Sequence, residues 1–465
     1  MNKRLLLTLL AAFVAAAFTF SCKEPAPDPQ EQEPEQTDPI VNPEDLQPLT
    51  LTSSMEGDGI FEHRPEFIVH AENPNDVATS TEIKIEIATD LKAVLSTTTY
   101  TIEVPAKGAK DFTFSSETDL EPGFYRARIM AYKRNLRIPV FGIRPFEIVS
   151  APDKQEDFDS FWQAAKDQLH AVDMKPDLVE ITSKSTAKCK VYFVELCSVP
   201  DGPDGEPVLI HGYYLEPQDG QKHPVLMHFY GYDTLGSTAK VTCPGGNNGD
   251  FAEFYLSHRG QYLNRTSADK REPDGKGDFE NIYGDWFAYN FGNKDGYYYR
   301  GAFLDCVQAV NFMATRETSD MGNLFAEGSS QGGALSYACA ALSDYPFTAI
   351  APCVAFLGDF PDYFRIVGWP GDVAKNSAKK AGISNEEMYR FLSYFDTKNL
   401  ATRIDCAVIA CSGLKDETCP PHTNIAPFNN LKGTDKEYYF YPEMTHSIPG
   451  DWSSKTMKFF KARIK

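Results

Sequence analysis

Residues 325–333 read Phe325-Ala326-Glu327-Gly328-Ser329-Ser330-Gln331-Gly332-Gly333, which sets Gly-x-Ser-x-Gly between an apolar run and an alanine-rich segment. A short strand, a sharp turn and a helix are the surroundings this pattern needs. The glycines let strand and helix backbones crowd together while the serine holds a strained turn and lifts its hydroxyl above the sheet. Ser330 is therefore the candidate nucleophile. The five-residue pattern alone is weak, because Gly and Ser are common residues; its context gives it weight.

Outward from this turn the chain alternates between two kinds of segment. Apolar strand candidates lie at 189–196, 207–215, 224–229, 324–326, 347–351, 407–410 and 437–441, with helical periodicity at 158–169, 302–315 and 333–342. Alternating β and α elements over about 300 residues predict a mostly parallel sheet with helices on both faces. Chemistry in such a sheet gathers at the carboxyl ends of the strands. The segment 357–400 is longer than a simple connection and is expected to form a lid or pocket wall that limits acyl size.

A serine hydroxyl is a poor nucleophile near neutral pH and needs a base, which in turn needs an orienting acid. In this fold they follow in the order serine, acid, histidine. Asp416 comes just after the strand at 407–410, and His446 just after the strand at 437–441. Of nine histidines, His446 is the only one beyond His422, which lies past Pro420 and Pro421 over a different loop. Attack on an ester carbonyl builds negative charge on oxygen, which backbone N–H groups must meet. The candidate donors are the amides of Gln331, next to the nucleophile, and of Tyr232, in Tyr230-Gly231-Tyr232-Asp233 after the strand at 224–229.

Residues 46–150 have a different rhythm. Ile83, Ile85 and Ile87 alternate with Glu82, Lys84 and Glu86, and Tyr125, Ala127 and Ile129 alternate with Arg126 and Arg128, the period of half-buried strands. Similar runs at 49–54, 66–71, 98–104, 111–115 and 140–149, separated by turn signals, predict an immunoglobulin-like β-sandwich without its paired cysteines. Tyr125, Tyr132 and Phe141 read as core in preference to a sugar platform. Residues 151–465 form the expected hydrolase domain.

Before the sandwich, residues 23–45 carry eight acids, one base and almost nothing apolar, a composition that cannot offset the entropy of ordering. They read as a solvated tether. Residues 1–22 pair Lys3 and Arg4 with an uncharged apolar run from Leu5 to Phe20, too short to span a bilayer and typical of an export signal. The run ends Thr19-Phe20-Ser21-Cys22, which resembles a bacterial lipoprotein signal box. Cys22 is then the expected lipidation site, and the cell envelope, at the outer membrane or cell surface, the expected location.

The chain has 465 residues, 42% hydrophobic and 24% charged, enough to bury a large core. With 45 basic against 65 acidic residues its formal charge is −20, which excludes nucleic acid as a partner. Nine cysteines follow Cys22, an odd number with none before Cys189, so disulfides do not organise the fold, although Cys411 has Cys406 and Cys419 as candidate partners. No cysteine or histidine spacing suggests zinc, and no metal or other cofactor is expected.

From Asp157 onward the chain resembles the acetyl xylan esterase and cephalosporin C deacetylase family, carbohydrate esterase family seven, an α/β-hydrolase group, which implies the α/β-hydrolase fold for this part of the chain. The resemblance is carried by Asp157-Phe158-Asp159-Ser160-Phe161-Trp162, Arg259-Gly260-Gln261, Tyr297-Tyr298-Tyr299-Arg300 with Asp305, and Gly328-Ser329-Ser330-Gln331-Gly332. It continues through Leu392-Ser393-Tyr394-Phe395-Asp396 with Asn399-Leu400-Ala401, then Gly413-Leu414-Lys415-Asp416 and Pro420-Pro421. It implies removal of acetyl groups from xylose-type sugars without metal or organic cofactor, with Arg259 and Gln261 as residues that help to shape the site. The family's His-Glu pair reads His446-Ser447 here. Its members commonly form hexamers, so homo-oligomerisation is open. Two other functions stay open as well: an esterase for larger acyl groups such as feruloyl, or a peptidase of this fold, and a non-catalytic glycan-binding surface lipoprotein.

Overall fold

The computed structural model describes residues 46–55, 57–132, 134–136, 140–202, 205–264 and 281–465; the expected export signal, Cys22 and the tether lie outside the described residues. Residues Gln47–Lys465 form one compact unit.

Strands Thr50–Met55, Glu66–Glu72 and Ala109–Ser115 pair antiparallel in one sheet. A second sheet holds Ile60–Phe61, Thr79–Thr89, Val94–Val104, Gly123–Ala131, Arg134–Asn135 and Val140–Ile143. Phe67, Val69 and Ala71 of the first sheet and Ile83, Ile85, Ile87, Ala127 and Ile129 of the second share one apolar cluster, as alternating inward side chains of a sandwich do. Tyr125 and Phe141 stack at 5.4 Å inside that core. The Tyr125 hydroxyl donates to the Glu121 carbonyl at 2.6 Å, a side-chain-to-backbone bond of the kind found at sandwich corners. The run expected at 140–149 stops at Ile143: Arg144 turns to φ 37 and Pro145, which has no N–H for a ladder, opens a 3-10 turn, Pro145–Glu147.

The main sheet has nine strands: β1 (Asp177–Glu180), β2 (Cys189–Ser198), β3 (Val208–Pro217), β4 (His223–Phe229), β5 (Ala252–Ser257), β6 (Ser319–Ser329), β7 (Ala349–Cys353), β8 (Ala407–Gly413) and β9 (Lys436–Tyr441). Their spatial order is β1-β2-β3-β5-β4-β6-β7-β8-β9, antiparallel from β1 to β5 and parallel from β5 to β9. Every residue of β7 and β8 is buried, which is why these strands are continuous apolar runs. Strand β5 escapes the apolar pattern because Glu253 interrupts it; that carboxylate is neutralised inside the fold by His228 of β4.

Helices α1 (Phe158–His170), α2 (Tyr298–Ala314) and α3 (Gln331–Leu342) correspond to the three helical patterns; α2 and α3 start a few residues earlier than expected, and α1 runs one residue longer. The long segment after β7 folds into α4 (Phe360–Ile366), α5 (Gly371–Ala381), α6 (Asn385–Leu392) and α7 (Thr397–Ala401). Helices α8 (Pro421–Asn429) and α9 (Trp452–Lys461) complete the chain. The nine cysteines from Cys189 onward are free, and the sulfur facing Cys411 belongs to Cys353 on the adjacent strand, at 3.4 Å, not to Cys406 or Cys419.

The sandwich packs against the carboxyl end of this sheet. Phe124 and Val140 share an apolar cluster with Leu414, Ile425 and Phe440, and the Phe146 ring meets Phe428 at 5.9 Å and Phe440 at 6.0 Å. Asn429 clasps the junction, its side-chain amide donating to the Pro145 and Ile148 carbonyls at 3.1 and 3.0 Å. The sandwich therefore stands behind the segment that carries Asp416.

Candidate active site

Strands β4, β6, β8 and β9 run parallel, with β7 between β6 and β8, so Tyr232, Ser330, Asp416 and His446 all leave the sheet at its carboxyl edge. Ser330 joins β6 to α3 with φ 56 and ψ −121, a conformation L-residues avoid. Its amide donates to the Cys353 carbonyl at 2.9 Å, and its carbonyl accepts from the amides of Gly333 at 3.0 Å and Phe356 at 2.9 Å, so the surroundings hold the turn in place. A β-carbon at Gly328 would strike the Gly332 backbone, and one at Gly332 would strike the Phe229 carbonyl. The two glycines are thus steric requirements of the elbow.

The three expected side chains meet. The Ser330 hydroxyl lies 3.0 Å from His446 Nε2, and His446 Nδ1 lies 2.8 Å from Asp416 Oδ2. A carboxylate accepts only, so Nδ1 carries the proton and Nε2 is left free to take one from the serine. The second oxygen of Asp416 accepts from the amides of Thr418 and Cys419, each at 2.8 Å, and its side chain is fully buried. These bonds keep the carboxylate aimed at the imidazole.

The Gln331 amide is the first N–H of α3, beyond the reach of any carbonyl in that helix. A β-carbon on Gly231 would sit 3.7 Å from the Ser330 β-carbon, so the loop after β4 runs directly over Ser330. Neither the Gln331 nor the Tyr232 amide donates to a carbonyl among the described residues. The Tyr232 side chain points the other way: its hydroxyl donates to Asp285 at 2.7 Å and its ring packs edge-on against Trp286 at 5.0 Å and Trp369 at 5.6 Å. Trp369, between α4 and α5, thereby brings the expected wall segment to the edge of the site.

Arg259 and Gln261 stand one layer back. Arg259 forms a two-pronged ion pair with Asp305, Nε to Oδ2 at 2.9 Å and Nη2 to Oδ1 at 2.8 Å, with both residues buried, and reaches Asp201 at 2.7 Å. Gln261 donates to the Ala239 carbonyl at 2.6 Å, which ties down the loop that follows Tyr232. Asp233 staples the same loop from inside by accepting from the amides of Thr238 at 2.6 Å and Ala239 at 2.7 Å.

Four further residues emerge that sequence reasoning had not singled out. His258, beside Arg259, accepts at Nε2 from the Gln331 side-chain amide at 2.9 Å, while the Gln331 oxygen accepts from the Tyr299 hydroxyl at 2.8 Å. The His258 proton is thus on Nδ1, facing the Tyr298 oxygen at 3.0 Å. Burial pulls the His258 pKa down to about 4, so the ring stays neutral. His228, which lines the same cleft as Ser330, sits between Glu253 and Glu327 with both ring nitrogens 3.0 Å from a carboxylate. Burial opposes its charge, but the two carboxylates prevail and push its pKa up to about 9. Both nitrogens then donate. The Arg-Gly-Gln motif pointed one residue away from His258; the period-two pattern gave no sign that His228, Glu253 and Glu327 converge from three strands.

Ser330 and His446 open onto a cleft of about 660 Å³ whose walls include Tyr230, Thr238, Tyr255, Glu327 and Ile448. A hydroxyl within reach of an imidazole, two amides with no carbonyl partner among the described residues and a cleft with both polar and aromatic walls are the parts an acyl-transfer site needs.

The acetyl xylan esterase (AXE1) family model matches residues 146–463. The acetyl esterase Axe7A of Xylanibacter ruminicola is 24% identical over 355 residues, covering 74% of this chain and 75% of that protein. Among solved structures, the acetyl xylan esterase from Paenibacillus sp. R4 is 28% identical with a TM-score of 0.54, covering 69% of this chain and 98% of that one. Acetyl xylan esterase 1 from Thermoanaerobacterium sp. JW/SL YS485 is 26% identical at the same TM-score of 0.54 and the same coverage, 69% and 98%. The chain belongs to the acetyl xylan esterase family and is a carboxylic ester hydrolase.

Proposed function

We propose that the protein is a serine carbohydrate esterase that removes acetyl groups from xylo-oligosaccharides or related acetylated glycans. The observation that carries this reading is the unbroken relay from Ser330 through His446 to Asp416, with bonds of 3.0 and 2.8 Å. Ser330 Oγ attacks the acetyl carbonyl carbon as its proton passes to His446 Nε2. Asp416 holds the imidazole by Nδ1–H and stabilises the imidazolium that forms. The Gln331 and Tyr232 amides receive the oxyanion, each such donor being worth about 10²–10³ in rate. His446 then gives the proton to the departing sugar oxygen, leaving acetyl-Ser330. A water activated by His446 releases acetate and restores the serine.

The sugar side of the proposal rests on the cleft. Glu327, three residues before the nucleophile, offers carboxylate oxygens to sugar hydroxyls, and the rings of Tyr230 and Tyr255 offer apolar faces for the sugar body. On the acyl side, Trp369 and Phe356 stack at 5.1 Å next to Tyr232, a wall suited to a small acyl group. We also infer from the N-terminal sequence that the chain is exported and held at the envelope by lipid on Cys22. Labelling with radioactive palmitate, lost in Cys22→Ala, tests the anchor.

The decisive experiment replaces Ser330 by Ala. Hydrolysis of p-nitrophenyl acetate should vanish while the thermal melt is kept, and retained turnover would end the proposal. Acetate release from acetylated xylan, mannan and pectin fragments then ranks the glycans, and faster cleavage of feruloyl than of acetyl esters would move the reading to the larger acyl group.

A further inference from the structure

Away from the cleft, three side chains turn their free ligand atoms toward one point. His422, on α8, is 8% exposed, and its Nε2 is buried without a hydrogen bond. That nitrogen lies 3.4 Å from Asp362 Oδ2 and 3.9 Å from Asp359 Oδ2, and the ligand atoms of all three residues fall within 4.8 Å of one another. Ligands bound at about 2.0–2.1 Å around a tetrahedral cation stand about 3.3 Å apart, so the group has the dimensions of such a site before it closes.

Each ligand is also held from behind. Asp90, in the turn after the sandwich strand Thr79–Thr89, accepts from His422 Nδ1 at 2.8 Å. Lys398 Nζ donates to Asp359 Oδ1 at 3.0 Å, and Arg365 Nη1 donates to Asp362 Oδ1 at 2.8 Å. In every case the engaged atom is the far one and the near atom is left over. A carboxylate on the far nitrogen is the outer-partner arrangement found for metal-bound histidine. Burial opposes a charge on His422, but the facing carboxylates of Asp362 and Asp90 favour a proton on Nε2, which a cation must displace to bind there. The cluster sets the carboxylates of Asp90, Asp359 and Asp362 against the cations Lys398 and Arg365, one negative charge more than those two side chains balance. The Asp362 side chain is 28% exposed, which leaves a path inward.

We propose that His422, Asp359 and Asp362 bind one divalent transition-metal cation of the zinc type, with Asp90 as outer partner and water as the fourth ligand. One imidazole nitrogen with two carboxylates suits zinc and its neighbours; calcium and magnesium take oxygen alone. The cation clamps α4 to α8 and, through Asp90, fastens the sandwich to both. It also stiffens the acid loop, because the Tyr363 hydroxyl on α4 donates to the Thr418 carbonyl, and the Thr418 amide donates to Asp416 at 2.8 Å. The metal has a structural role and takes no part in ester cleavage.

The test is calorimetric titration of the chelator-treated full chain with zinc chloride. The wild type should bind one equivalent more than His422→Asn, so sites elsewhere, including free thiols, cancel in the difference. Asp90→Asn should weaken that equivalent about 10–100-fold. Zinc should raise the melting temperature of the wild type more than that of His422→Asn, and cobalt(II) should give the visible bands of a tetrahedral site. Should His422→Asn fail to fold without metal, Asp362→Asn, at the exposed side of the site, serves in its place. Equal zinc stoichiometry in wild type and variant, as expected if a proton on Nε2 bridges the carboxylates instead, would overturn the proposal. Magnesium binding as tight as zinc would do the same.

Discussion

Ser330 holds φ 56 because the bonds of its amide and carbonyl to residues 353, 333 and 356 over-determine the turn. Strain of about 1–3 kcal/mol is kept at such a site by the structure around it. Asp416 is the residue whose loss should be cleanest in kinetics. Asp416→Asn preserves shape but lets Nδ1 lose its acceptor, so kcat for p-nitrophenyl acetate is expected to fall about 10⁴-fold with the fold intact by circular dichroism. His258 acts one step further away. Without it the Gln331 side chain loses its acceptor and the Gln331 amide, proposed to receive the oxyanion, can drift, so His258→Leu should lower kcat by about 10²-fold with little change in KM. Ser330, Asp416 and His446 were legible because each follows a recognisable apolar strand, and strand ends meet in a parallel sheet. His258 was not, since nothing local distinguishes a histidine that accepts a hydrogen bond from one that points to solvent.

The α2 helix and the loop after β5 depend on the buried Arg259–Asp305 pair. Any β-carbon on Gly301 would run into the Arg259 guanidinium, so this glycine of α2 is the space in which the cation lies. Arg259→Met leaves Asp305 buried and unpaired, a loss expected to cost about 3–5 kcal/mol in urea denaturation; Gly301→Ala should destabilise through the same pair. A value near zero for Arg259→Met would mean that Asp305 is repaired by its bond from Ser198, at 2.6 Å. The elements themselves were largely readable: β7 and β8 as unbroken apolar runs, α1 and α3 by period. Strands β1 and β5 were not, because β1 is short and β5 owes its place to Glu253, whose charge is tolerable only beside His228.

At the scale of the whole molecule, the sandwich and the hydrolase fold share a buried junction through Phe124, Val140, Leu414 and Phe440. A chain started at residue 151 would expose those apolar groups next to the acid loop. Its expected behaviour is self-association on gel filtration, a lower melting temperature and reduced kcat relative to the full chain. Stability should also follow pH through the buried histidines, among them the two that lie next to the candidate site. His228, at about 9 in the fold against about 6.5 unfolded, adds stability that is complete below 6.5 and disappears as pH rises through 9. His258, at about 4, works in the other direction: its contribution is complete above 6.5 and declines as pH falls toward 4. Thermal melts of wild type and Glu327→Gln across pH 6 to about 10 should differ most at the acid end and converge at the alkaline end, since the variant lacks one carboxylate that charges His228.

The sequence by itself determined the Gly-x-Ser-x-Gly turn, the order of Ser330, Asp416 and His446 along the chain, and the two rhythms of sandwich and parallel sheet. These are properties of near neighbours: glycine spacing, strand period, and a polar residue just past an apolar run. The tertiary structure alone decided the neutral His258 under Gln331, the charged His228 between two glutamates, and the meeting of Asp90, Asp359, Asp362 and His422 from three separate parts of the chain. Protonation and ligand geometry depend on which groups approach within a few ångströms after folding and how much water they lose, and no local pattern along the chain encodes those distances.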